Sequence, residues 1–263
     1  MSNCLRMLTI CILFLAFSFS YSTLNAQDGK RDLYEIKIYH IENSNQEQVI
    51  DSYLENAFIP AAHRAGVENV GVFKPLPSAE DAGQKIYVFL PFKNSKDYFQ
   101  FQRKLNSDSQ HHEDGKAYIQ ASYDAPPFKR LESALLQAFS THKRMTLPNL
   151  SSPKSDRIYE LRSYESATER LYWQKVKMFN SGETDIFDNL EFNPVFYGET
   201  IAGANMPNLM YLTTFENMDD RNTHWDAFRT DPDWEAMKDL EEYKNTVSRN
   251  DTRLLRPTNY SDF

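Results

Sequence analysis

Apolar and polar positions alternate in two stretches of the same design. Leu33-Tyr34-Glu35-Ile36-Lys37-Ile38-Tyr39 returns 125 residues later as Ile158-Tyr159-Glu160-Leu161-Arg162-Ser163-Tyr164. Apolar, Tyr, acid, apolar and base recur in register, and Tyr closes both. Alternation in residues rich in β-branched and aromatic side chains predicts a strand, and a repeat at domain spacing predicts two copies of one fold. Every second side chain shares a face. One face carries Tyr34, Ile36 and Ile38, or Tyr159, Leu161 and Ser163, and is apolar enough to carry helices. The other carries Leu33, Glu35, Lys37 and Tyr39, or Ile158, Glu160, Arg162 and Tyr164. That second face is either a solvated surface with a weak ion pair or a closed interior where the pair is satisfied internally and addresses a ligand.

The remaining periodicity repeats in the same order. In the first half, Asn43-Ser44-Asn45 precedes a helical pattern over 46–64, interrupted by Pro60 and ended by Gly66. Strands follow at 67–76 and 85–90, then a helix at 96–105 capped by Asn94-Ser95, a polar loop at 106–113, and a strand at 131–139. In the second half the strand at 158–164 leads into helices at 168–179 and 183–190, broken at Ser181-Gly182. Strands at 194–199 and 209–215, helices from Asp219 and Asp231, and a strand at 253–255 complete it. Each half is strand-helix-strand-strand-helix-strand, the ferredoxin-like order, which covers one sheet face with helices and leaves the other to be buried. Two copies in one chain offer each other that face. The expected fold is α+β: two tandem βαββαβ modules at 27–145 and 157–263, joined by a Pro- and Ser-rich linker at 146–156, with the charged faces turned into a barrel.

Composition narrows the function classes. Arg6, the apolar run 7–19 and a small residue at Ala26 have the parts of a secretory signal over 1–26. The expected product is exported, to the periplasm or the medium. Both cysteines, Cys4 and Cys11, lie in that segment, so the processed chain has no disulfide, thiol nucleophile or thiolate metal site. The full chain carries a net charge of −8, which argues against nucleic acid or an anionic membrane as partner.

Several second-half segments resemble the NIPSNAP family: Lys177-Met178-Phe179-Asn180-Ser181-Gly182-Glu183, Phe192-Asn193-Pro194-Val195-Phe196-Tyr197-Gly198-Glu199, Met206-Pro207-Asn208-Leu209, Trp225-Asp226-Ala227-Phe228 with Asp231-Pro232-Asp233-Trp234, and Leu255-Arg256-Pro257-Thr258-Asn259-Tyr260-Ser261. In the first half the resemblance rests on the opening strand, on Pro126-Pro127-Phe128 with the strand after it, and on element order. It implies modules of the dimeric α/β-barrel type and a homo-oligomer. It brings no catalytic residue. The wider superfamily includes cofactor-free monooxygenases, isomerases and haem-handling enzymes.

The candidate ligand-binding residues are Glu160, Arg162 and Tyr164, with Tyr197 on a neighbouring strand and Asn180 and Glu183 at the helix break. An arginine holds a carboxylate in bidentate fashion, a tyrosine donates or acts as acid, and a helix break frees backbone groups. The competing reading is an internal ion pair and a capped joint. His111-His112-Glu113-Asp114 reads as a loop rather than a metal site, and His40 and His63 as strand- and helix-end histidines. Trp225, Phe228 and Trp234 read as core. No metal and no cofactor are expected. The leading expectation is a small, partly apolar ligand inside the barrel; a cofactor-free oxygenase or isomerase and a purely structural module are the alternatives.

Overall fold

The computed structural model describes residues 30–263; the expected leader at 1–26 lies outside the described residues. Strands β1 (Leu33–His40), β2 (Gly71–Pro75), β3 (Lys85–Phe92) and β4 (Arg130–Ala138) form the first sheet in the order β4-β1-β3-β2. Strands β5 (Ile158–Glu165), β6 (Phe196–Ala202), β7 (Asn208–Phe215) and β8 (Arg249–Pro257) repeat it as β8-β5-β7-β6. The edge strands then join across the modules, β2 to β8 and β6 to β4, and close an antiparallel barrel within one chain. Closure matters because an open ferredoxin-like sheet exposes unpaired edges and a bare apolar face. β3 runs past the expected end at 90 and takes in Pro91, opposite Tyr34. The β2 ladder ends earlier, at Phe89, so no sheet hydrogen bond is required of Pro91 on that side.

The faces of β1 and β5 are the reverse of the expectation. Tyr34 and Ile36, and Tyr159 and Leu161, point into the barrel with Phe73, Phe89, Phe196, Leu212 and Leu255. Leu33 and Tyr39, and Ile158 and Tyr164, point out under the helices. The reason is solvation. The barrel interior is lined by apolar and aromatic side chains, whereas on the outer side helix residues such as Arg221 and Trp225 bring partners for a buried charge. The barrel centre leaves about 10 Å³ among Ile36, Phe73, Phe89, Leu161 and Phe196, scarcely room for one water. Phe263 packs against Phe73 and Phe89 at one end.

The helical layers repeat in detail. In the first module α1 (Ser44–Tyr53) runs through a π-helical turn at Leu54–Phe58 into α2 (Ile59–Ala65). Pro60, expected to shorten this helix, sits in the first turn of α2, where a missing N–H is tolerated. Then come α3 (Ser95–Ser107), α4 (Ser109–Asp114) and α5 (Lys116–Ile119). The segment expected as a polar loop is therefore helical, started by Asp108, whose side chain accepts from the His111 N–H. In the second module α6 (Glu169–Met178), a π-turn at Phe179–Glu183, α7 (Thr184–Asn189), α8 (Met218–Arg229) and α9 (Pro232–Lys238) follow. The helix break expected at Ser181-Gly182 is the second π-turn. Residues 146–156 hold no helix or strand. They are tied to the second module where Ser151 and Ser152 N–H groups donate to Glu216 at 2.8 and 2.7 Å, bonds that hold its carboxyl down to about 2.

Candidate functional site

The residues singled out in β5 lie between sheet and helices, fully occupied with one another. Glu160 is 0% exposed. Its carboxylate accepts from Arg221 Nε on α8 at 2.7 Å, from Trp225 Nε1 at 2.8 Å and from Arg162 Nε at 2.6 Å. Arg162 Nη1 donates to the Tyr164 hydroxyl at 3.0 Å, which meets the Tyr211 hydroxyl at 2.8 Å. The Trp225 ring covers the Arg162 guanidinium at 3.8 Å. Burial alone would push the Glu160 carboxyl up; the Arg221 bond and both guanidinium charges outweigh it and hold it below the usual range.

The other three candidates are placed separately. Glu183 ends the second π-turn and is paired, buried, with Lys175 Nζ at 2.7 Å; burial pushes its carboxyl up against that charge. Asn180 is 40 residues from Ser140 in sequence but accepts from its hydroxyl at 2.8 Å and from the Thr141 N–H at 3.1 Å, fastening the chain after β4 to the helix break. Tyr197 is buried among Phe139, Phe179, Phe187 and Tyr211. These contacts correct the placement of Glu160, Arg162 and Tyr164 inside the barrel: they form a closed network on its outer side. Of the histidines, His40 and His63 pair with Glu132 and Asp262, each at 2.8 Å.

The same location in the first module is open. Helices α3 and α8 start at equivalent caps, Asn94 and Asn217, whose side chains accept from the N–H three residues on. Counting from those caps, Gln102 stands where Trp225 stands, and Tyr98 where Arg221 stands. With an exposed Gln102 in place of the indole, a cleft of about 620 Å³ opens over Lys37 and Tyr39, walled by Tyr53, His111, Tyr118 and Phe128. Lys37 is held less tightly than Arg162: Glu35, which also accepts from Ser133 at 2.7 Å, lies 3.7 Å from its Nζ. Tyr53 and Tyr118 stack at 3.9 Å with 8° between their planes, and Phe128 meets Tyr39 edge-on at 5.7 Å.

The Tyr53 hydroxyl lies 3.1 Å from His111 Nε2, and His111 Nδ1 lies 3.2 Å from the Leu105 carbonyl. A carbonyl only accepts, so Nδ1 carries the proton and Nε2 accepts from Tyr53. Both residues are buried, His111 at 5% exposure. This combination of an apolar wall with a few convergent polar groups is the usual composition of a small-molecule site. Neither Tyr53 nor Tyr118 is marked by a sequence motif. The sequence reading places His111 in a polar loop; the Asp108 cap is the signal that makes its segment helical. A smaller cavity, about 240 Å³, opens at one barrel mouth between Ile36, Leu161 and Met210 and a rim that includes His40, Lys85 and Arg253. Among the described residues no three His, Cys, Asp or Glu side chains converge as metal ligands, and no helix is long and apolar enough to cross a membrane.

The closed barrel with two helical layers defines a protein of the dimeric α/β-barrel class, with both halves supplied by one chain. A solved structure similar over its whole length is a candidate monooxygenase from Lactobacillus acidophilus: 13% identical, covering 86% of this chain and 94% of that one, with a TM-score of 0.58. A second, from Fusobacterium nucleatum, also named as a candidate monooxygenase, is 10% identical, covering 87% and 93%, with a TM-score of 0.55. An uncharacterised NIPSNAP-like domain protein from Burkholderia xenovorans is 18% identical, covers 40% of this chain and 89% of its own, and has a TM-score of 0.37. No curated protein matches the chain. Residues 159–262, the span of the second module, match the family model NIPSNAP.

Proposed function

We propose that this is an exported protein that binds a small, partly apolar molecule in the cleft of its first module, while the second module's charged network holds the fold. The observation that carries the reading is the exchange of Trp225 for Gln102, which leaves an aromatic cleft over Lys37 where the second module is sealed. The packed centre of the barrel argues against a ligand there. The volume suits a molecule of ordinary ligand size. The two solved structures named as candidate monooxygenases share the barrel fold.

Native mass spectrometry of the exported chain tests the reading. A small molecule retained by the wild type and lost from Gln102→Trp supports it. A molecule retained equally by both places the ligand elsewhere. The same spectra report subunit number, expected to be more than one, and the N-terminus, expected at Gln27; a chain that keeps Met1 contradicts export.

A further inference from the structure

We infer that Tyr53 and His111 form a proton relay that ionises a hydroxyl-bearing ligand held in the first-module cleft, with Lys37 as the cation on the floor of that cleft; this rests on the cleft being the ligand site. Three observations carry it. First, the direction of the hydrogen bonds is set. Leu105 O fixes the proton on Nδ1, so Tyr53 donates its single proton to Nε2 at 3.1 Å. The Tyr53 oxygen is left with its acceptor lone pairs. It can receive a hydrogen bond from a ligand and has no proton to offer one.

Second, both groups rest in the state a relay needs. Burial holds the imidazole below the usual histidine range, so it is neutral and able to accept near pH 7. The groups around it are Tyr53 on α1, Arg64 on α2, and Asp108 and His112 beside it on its own segment. Burial, with Tyr118 beside it, raises the Tyr53 hydroxyl well above its ordinary value, so it passes a proton on and does not lose one by itself. Third, Tyr53 and His111 line the cleft together with Lys37. Lys37, with Glu35 3.7 Å away, retains donors for an oxyanion.

The step balances without an oxidant, reductant or metal. The ligand O–H bond breaks and its proton goes to Tyr53 Oη. The Tyr53 O–H bond breaks in the same movement and its proton goes to His111 Nε2. The products are a ligand oxyanion, neutral Tyr53 and an imidazolium whose two N–H groups face Leu105 O and Tyr53 Oη. No equivalent exists in the second module, where Met178 occupies the position of Tyr53 in the repeat.

The test is a pH titration of 4-nitrophenol, whose protonated and ionised forms absorb differently, with and without a saturating amount of the full chain. The expected result is a bound-probe pKa lowered by about one unit, the least that a favourable charge and hydrogen-bond site produces. Tyr53→Phe keeps the ring stack and His111→Gln keeps a polar side chain; each should still bind the probe and shrink the shift to what the Lys37 charge alone supplies, a remainder that Lys37→Met removes. A probe that binds with an unshifted pKa, or a shift that keeps its full size in both variants, overturns the relay and leaves the cleft reading standing. No saturable binding, or a shift that persists in Gln102→Trp, overturns the cleft as the phenol site and the relay with it.

Discussion

The two modules have the same backbone and opposite contents between sheet and helices. Both place an acid, a base and a tyrosine on the outer face of the first strand, and both carry a π-turn under the first helix, at Leu54–Phe58 and Phe179–Glu183. In the second module the charges between strand and helices are paired: Lys175 with Glu183, and Arg221 and Trp225 with Glu160. At the matching positions the first module has Ile50, Phe58, Tyr98 and Gln102. Across the ladder Arg162 faces Tyr211 while Lys37 faces Val88. The repeated strand is thus not a site in itself. What stands over it decides whether its charges are locked or left available.

The comparison breaks first at Glu160. Glu160→Gln leaves two partly buried guanidinium groups without their fully buried carboxylate partner and should cost about 3 kcal/mol in urea unfolding. Glu35→Gln, with Ser133 and a distant Lys37 as partners, should cost about 1 kcal/mol. Similar losses at the two positions would show that the modules are not differently organised. Of similar size to the Glu160 loss, Trp225→Gln removes the lid from Arg162; it should cost about 3 kcal/mol and create a second probe-binding cleft, seen as a stoichiometry rising from one to two.

Acid sharpens the same contrast. The Glu160 carboxyl is held below its unfolded value, so its stabilisation is fully present above the unfolded pKa and lost as pH falls through the lower folded one. The stability gap between wild type and Glu160→Gln should stay constant from neutral pH down to about 4.3 and narrow below it. Glu183 has the opposite sign: burial raises its folded value, so it weakens the fold as pH rises through its unfolded pKa. A gap that widens in acid would contradict the assignment.

The smallest expected effect lies where the helical layers end. Val67 N–H bonds Ala62 O and Phe192 N–H bonds Phe187 O, the same helix-ending bond in both modules. The left-handed residue is Gly66 in one, at φ 96°, and Glu191 in the other, at φ 56°. Gly66→Ala meets nothing within 4 Å, so its cost, about 1 kcal/mol, is backbone strain alone. Glu191→Gly should recover somewhat less, and thermal unfolding would register both as shifts of opposite sign.

Element order, the repeat and the caps were legible because each rests on local chemistry: Asn94 and Asp231 stop one element and start another wherever they stand. The barrel face was not. Leu33-Glu35-Lys37-Tyr39 and Tyr34-Ile36-Ile38 are both partly apolar, and which turns inward depends on partners distant in sequence, such as Arg221 and Trp225, 61 and 65 residues from Glu160. The cleft was invisible for a related reason. It exists because Gln102 is not a tryptophan, and only alignment of α3 with α8 on their caps exposes that difference. The polar composition of 106–113 reads as a loop and so sets His111 aside, although Asp108 carries the helix signal.

The account turns on Gln102, and equilibrium dialysis of 4-nitrophenol against the wild type and Gln102→Trp tests it most directly. It predicts one saturable site in the wild type and an affinity at least tenfold weaker, a loss of about 1.4 kcal/mol, once the indole fills the cleft. Equal binding by the two proteins would contradict it and return the first module to the role of a structural copy of the second.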